Sequence, residues 1–527
     1  MLDTIIRGGT VIDGSGAAAR AGDIALQDGK IVAIGNLAGS AARREICARG
    51  KVVTPGFIDI HRHADAAIFR PGFGTAELCQ GLTTIVNGNC GLSAAPAAGE
   101  NAEAIRRYLA PITGTLPEEL PTDSMAAYLE ALHDLPLHCG MLAGGGVVRA
   151  AARGYIQPRM DPEGIAAVRH ELERALHEGA LGVSLGLGYA PECFYTTEEL
   201  IQVLAPVAGT DIPVTVHMRQ EGAGVVDSVE EMLHIAGALR CPMHISHLKA
   251  MGRRNWGEKI PRALALLDRA RAEGLDVSCD VYPYTAGSTQ LLHILPPQFL
   301  QGGMETAVAR LADPAVRREL AEAIESGKGF DDIAKLAGWE GIYLTSLHCP
   351  EDRPYQGKNL AEIAGMMGQS PLDACCDLLL REHGQITMID FMASEEDICT
   401  ILQSPLSNVI SDATYPAEGQ PHPRVYGTFP RVIEHFVREK KVLSLEGAIH
   451  KMTMAPADVL GMKKKGRLQT GCDGDICIFD PENLRECGTY ENPVQPAQGM
   501  DYVLVNGEIA LEAGKPTGIR KGKAIRR

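Results

Sequence analysis

The sequence predicts an α/β fold: a (β/α)8 TIM-like barrel with a small β domain formed from both chain ends and a helical insertion near the barrel mouth. Three observations predict it. Eight short apolar runs alternate with amphipathic helical stretches through the middle of the chain, as parallel strands covered by helices do. At 527 residues the chain is too long for one simple core. Both ends read as strands and turns with too few apolar residues to form a core alone, so the two are expected to pair.

Residues 1–54 carry the short strands "TIIRGGTVI", "GDIALQDGKIVAIG" and "REICARGKVVTPG", punctuated by glycine and Asp-Gly turns. The barrel is expected over 55–464. Its strand candidates are "GFIDIH", "TTIVNGN", "HCGMLAG", "ALGVSLG", "PVTVHMR", "PMHISH", "DVSCDVYPY" and "VISDA". Helical stretches such as "PEGIAAVRHELERALHEG" and "PRALALLDRARAEG" separate several of them. A stretch from about 287 to 345 is rich in helix formers and reads as the insertion. Residues 465–527 return to strands, "GDICIFD" and "DYVLVNGEIALEAG", and complete the small β domain.

Composition excludes several function classes. Fifty Lys and Arg against 66 Asp and Glu leave a net charge of −16, with no basic footprint for nucleic acid or an anionic membrane. The start "MLDTIIRGGTVIDG" lacks a signal-peptide pattern, and no apolar run reaches membrane-spanning length. The 14 cysteines have no regular spacing and read as reduced thiols. A cytoplasmic protein acting on a small molecule is expected; the oligomeric state stays open.

The chemistry gathers at the C-terminal ends of the strand candidates, where barrels keep their active sites. "PGFIDIHRH" ends in His61 and His63, which a two-residue period turns to the same face. "TTIVNGNC" ends in Cys90, "PVTVH" in His217, "PMHISH" in His247 and "NVISD" in Asp412. Each residue alone has an ordinary reading: a packed thiol, a hydrogen-bonded histidine, a turn-capping aspartate. Together, at successive strand ends, imidazoles, a thiol and a carboxylate are a zinc ligand set. A metal would hold Cys90 as thiolate, and Gly88 and Gly91 would let the backbone bend tightly beside it. The letters "GVSLG" match a nucleophile elbow, but Ser184 sits within a strand pattern rather than at a strand-to-helix turn.

On "PGFIDIHRHAD", "GLTTIVNGNCG", "GALGVSLGLGYAP", "TVHMRQEG", "HISHLKAMG", "DVYPYTAGST", "ISD", "HPRVYGTFPR" and "GCDGDICIFDP", the chain resembles, end to end, the D-aminoacylases (N-acyl-D-amino-acid deacylases) of the amidohydrolase superfamily. The resemblance implies one tightly held zinc on Cys90, His217 and His247. It implies a second, weaker site on His61, His63 and Cys90, with the thiolate in the place of the carbamylated lysine of most amidohydrolases. Asp412 would be the general base and touch the second metal. Substrate recognition would fall on Tyr189, Lys249, Tyr282, Ser288 and Arg424, with Arg424 and Lys249 suited to an α-carboxylate.

Two departures from the family pattern bear on specificity. Gly145, in "AGGGVVR", stands where a histidine is usual, and the 412–418 loop "DATYPAE" replaces the usual "DG". The expected reaction is zinc-dependent hydrolysis of N-acyl-D-amino acids. The alternatives are a hydantoinase- or dihydroorotase-like ring opener, disfavoured by the cysteine in "NGNCG", and a non-catalytic barrel scaffold.

Overall fold

The computed structural model describes residues 1–155, 159–327 and 329–527. Eight barrel strands follow one another in chain order: Phe57–Asp59, Leu82–Asn87, His138–Met141 (continued by Ala143–Gly144), Val183–Gly186, Val214–His217, Met243–Ile245, Val277–Val281 and Ser407–Val409. Neighbours run parallel throughout, as in Val183↔Val214 and Cys279↔Ser407. The circle closes between the last strand and the first, where the Asp412 N–H donates to the His61 carbonyl at 2.9 Å and the His63 N–H to the Ala413 carbonyl at 3.0 Å. Seven of these coincide with runs expected from the sequence, and the eighth meets the expected "VISDA" only at Val409. The reason is physical: a parallel strand with packed interior on one face and helices on the other is buried along its length, which favours near-continuous apolar runs. Leu82–Asn87 is buried at every residue.

The covering helices carry their own start signals. Pro162–His177 is capped by Asp161, whose carboxylate accepts from the Gly164 N–H, with proline in the first turn. Its buried residues, Gly164, Val168, Leu172 and Ala175, form one stripe.

The two chain ends share a nine-stranded sheet. Val52–Pro55 lies inside it, parallel to Leu2–Val11 and antiparallel to Ile476–Phe479. One hydrophobic cluster unites Ile6, Val11, Ile24 and Val53 with Ile476, Ile478 and Leu504. The small β domain therefore has a core only because both ends contribute to it. The segment Ala524–Ile525 leaves this sheet and pairs with His138–Met141 of the barrel.

The connection between the seventh and eighth barrel strands holds helices Gly303–Arg310, Pro314–Ser326 and Ile333–Ala337, as expected. It also holds a three-stranded antiparallel sheet, Ala286–Gln290, Thr387–Phe391 and Ile342–Ser346, with helices Leu360–Met367 and Pro371–Arg381. Those strands are short, and their neighbours in sequence are helix formers, so no periodicity marked them.

Candidate metal centre and substrate cleft

The ligand candidates are carried by strand ends whose backbone is unusual. Cys90, His247 and Asp412 all adopt positive φ, 54°, 37° and 51°, a region that side chains other than glycine occupy only where the surroundings enforce it. Gly88 and Gly91 flank Cys90 at φ 78° and 71°. The "NGNCG" loop is thus a run of left-handed turns that drives the thiol back toward the barrel axis.

There the side chains converge. The Cys90 Sγ lies 3.2 Å from His61 Nε2 and 3.4 Å from His247 Nε2. His217 Nδ1 is 3.1 Å from His247 Nε2. Asp412 Oδ1 is 3.4 Å from His61 Nε2 and 3.3 Å from His63 Nε2. Ligand atoms of His61, Cys90, His247 and Asp412 all lie within 4.8 Å of one another. All six side chains are buried or nearly so.

This donor set fits zinc: soft thiolate, borderline imidazoles and one carboxylate facing a common centre. Burial alone would push the Cys90 thiol up, but His61 and His247 outweigh it and hold it well below its usual range. Burial likewise opposes ionisation of Asp412, yet Arg424 and the histidines keep its carboxyl well below the usual range.

Several supporting residues were not found from the sequence. Glu221, four residues after His217, places Oε1 2.9 Å from His247 Nδ1. It also accepts from Lys249 Nζ through both oxygens at 2.8 Å. Asp280, at the end of the seventh strand, accepts from the His247 backbone N–H and lies 2.8 Å from His244 Nε2. Glu221 thereby fixes which nitrogen of His247 faces the ligand cluster, and Asp280 holds the His247 backbone in place. Glu221 lies within "TVHMRQEG" and Asp280 within "DVYPYTAGST", but a carboxylate that orients a ligand has no spacing rule of its own.

A cavity of about 120 Å³ opens above this centre, lined by Tyr189, His217, Lys249, Tyr282, Ser288 and Asp412 among others. The Tyr189 ring stacks on His217 with centroids 4.3 Å apart. Ser288 Oγ is 3.3 Å from Thr414 Oγ1. Arg424 is placed differently from the rest. It is fully buried behind the cavity wall, with Nη1 2.9 Å from Asp412 Oδ2 and its guanidinium 4.9 Å from the Tyr282 ring centroid. Lys249 is likewise engaged in an ion pair as well as facing the cavity.

The Gly145 departure has a local explanation. A side chain there would run into Glu192 Oε1. Glu192 is 1% exposed and accepts from the Gly186 N–H at 2.7 Å, and its carboxyl also fills the space beside Gly91 and Gly146. Burial pushes this carboxyl up to about 8, with the Gly186 N–H and Arg149 offsetting only part of the rise. Glu192 takes the volume that a larger residue at 145 would need, and it braces the loop carrying Cys90.

A barrel with this ligand set defines a metal-dependent hydrolase, and the chain belongs to the amidohydrolase family. Two models of that family match it, over residues 201–511 and 52–256. Among characterised relatives, the D-aminoacylase of Alcaligenes xylosoxydans xylosoxydans is 34% identical, with 100% of this chain and 98% of that protein covered. The N-acyl-D-glutamate deacylase of the same organism is 35% identical, with 100% and 97% covered. The crystal structure of N-acyl-D-glutamate deacylase from Bordetella bronchiseptica, complexed with zinc and a phosphonate mimic of the tetrahedral intermediate, superposes with a TM-score of 0.84 at 33% identity over 100% of both chains.

Proposed function

We infer that this chain hydrolyses N-acyl-D-amino acids to a carboxylate and a free D-amino acid. The observation that carries the reading is the Cys90 sulfur placed between His61 and His247, with Asp412 at hydrogen-bonding range of His61 and His63. The full-length likeness to D-aminoacylase and N-acyl-D-glutamate deacylase supplies the substrate class.

Cys90, His217 and His247 hold the tight zinc in this reading, and His61, His63 and Cys90 the weaker one. Bound there, zinc supplies Lewis-acid polarisation of a carbonyl and lowers the pKa of water. Asp412 removes a proton from the attacking water and returns it to the amide nitrogen as the carbon–nitrogen bond breaks. Its ionised state in the folded protein is the one a base needs. Lys249, Tyr282 and Ser288 receive the substrate α-carboxylate, with Arg424 behind them. For Arg424 to contribute directly it must share its guanidinium between Asp412 and the substrate. Tyr189, against His217, orients the acyl amide.

Residues 55–464 form the catalytic unit in this reading, and 1–54 with 465–527 the small β unit. Among the described residues no helix is long and apolar enough to cross a membrane, and we place the enzyme in the cytoplasm with a small molecule as its partner. The test is an assay of the zinc-loaded protein on N-acetyl-D- and N-acetyl-L-amino acids alongside hydantoins and dihydroorotate. Turnover of D-configured amides is expected. Ring opening without it would replace this reading.

A further inference from the structure

His293 lies in the connection after the seventh strand, within a short helical turn, Leu291–Ile294. It lines the cavity above the metal centre. Its ring packs against Tyr189 at 4.3 Å between centroids, and Tyr189 in turn stacks on His217. The residue is only 8% exposed, and neither Nδ1 nor Nε2 has a hydrogen-bond partner among the described residues. A buried imidazole with both nitrogens unpaired is costly unless something else meets them. No other part of the mechanism uses it.

The surroundings narrow what that something is. The nearby cavity wall is apolar, with Leu187, Leu295, Pro297 and Leu300. Burial, with His217 close by, pushes protonation of His293 down to about 3, so the ring offers one N–H and one lone pair and no charge. Among the described residues the cations around the cleft already face carboxylates: Arg219 with Glu231 at 2.9 Å, Lys249 with Glu221 at 2.8 Å, Arg424 with Asp412 at 2.9 Å. Recognition of the α-carboxylate draws on the last two. Among the described residues no further cation lines the cavity to meet a second carboxylate, whose burial unpaired would be prohibitive.

Resting on the hydrolase reading above, we propose that His293 is a specificity-determining residue that binds an uncharged hydrogen-bonding group, amide or hydroxyl, carried by the substrate beside its scissile amide. Carried on the side chain, that group makes N-acyl-D-glutamine or N-acyl-D-asparagine outrank both the acidic and the wholly apolar D-amino acids; carried on the acyl group, it makes a hydroxyacyl amide outrank the plain acyl one.

The test compares kcat/KM of the zinc-loaded enzyme on N-acetyl-D-glutamine, N-acetyl-D-leucine and N-acetyl-D-glutamate. N-glycolyl-D-leucine, set against N-acetyl-D-leucine, separates a polar group on the acyl side from one on the side chain. The wild type should favour the uncharged polar member of one pair. In His293→Leu that preference should fall by roughly 10- to 100-fold, the loss expected when a site built around a hydrogen bond is left without it. His293→Gln keeps a neutral donor and acceptor and should restore most of the preference. Zinc content and Tm report whether each variant is folded. Equal losses on every substrate, or a wild type that favours neither N-acetyl-D-glutamine over its D-glutamate and D-leucine counterparts nor N-glycolyl- over N-acetyl-D-leucine, would overturn the proposal and leave the hydrolase reading standing. Absence of turnover on every N-acyl-D-amino acid would remove the hydrolase reading, and the proposal with it.

Discussion

The residue that decides the chemistry is Cys90. Its thiol touches histidines from the first and sixth strands, and its backbone is held at a φ that a cysteine does not choose. Cys90→Ala removes the sulfur without adding backbone strain. Zinc content and turnover should both drop sharply while the fold persists; metal analysis and far-UV circular dichroism check this, and an active variant with full zinc would return Cys90 to core packing. Asp412→Asn keeps shape and loses proton capacity. Zinc on Cys90, His217 and His247 should stay, and turnover at saturating substrate should fall by roughly 10²–10⁴. Near-normal turnover with zinc intact would remove the general-base role. At this scale much was legible: His61, His63, Cys90, His217, His247 and Asp412 each sit where an apolar run stops, and the structure brings them together. Glu221, Asp280, Glu192 and His293 were not legible. Their roles come from what they touch across the fold, and a lone carboxylate or imidazole in a sequence carries no sign of its neighbours.

Among elements, the loop after the second strand and the turn after the fourth behave as one unit joined by Glu192. This carboxyl is pushed up to about 8 by burial, from an ordinary 4.5. The folded protein thus keeps a proton that the unfolded chain releases. The associated stability is fully present below pH 4.5 and is lost as pH rises toward about 8. Glu192→Gln imitates the protonated form permanently. Melting curves from pH 5 to 8.5 should decline less for Glu192→Gln than for the wild type, and parallel curves would show that the carboxyl does not titrate there. The barrel strands were readable because burial on two faces favours near-continuous apolar runs. The sheet built from Ala286–Gln290, Ile342–Ser346 and Thr387–Phe391 was not. Its strands are dispersed among helices, and their hydrogen-bonding partners lie far away in the chain.

At the scale of the whole molecule, the pairing of the two ends followed from counting: neither end had enough apolar residues for a core. The return of Ala524–Ile525 to the barrel did not, because two residues carry no periodicity. That return can be tested. Ending the chain after Ile519 removes this pairing with Cys139 and Gly140 and the ion pair of Arg527 with Asp211. The expected cost is roughly 1–3 kcal/mol, read as a lower Tm with zinc content unchanged; an unaltered Tm would make the tail ornamental. The shared sheet also sets a timetable. Val52–Pro55 must wait for Ile476–Phe479, about 420 residues later, which at ribosomal speed is roughly 20–80 s. Throughout that interval its edge stands open to any other strand it meets. The first fifty residues are therefore a part of the newborn chain in need of shielding, because the eight barrel strands are all synthesised before the strand that completes their sheet.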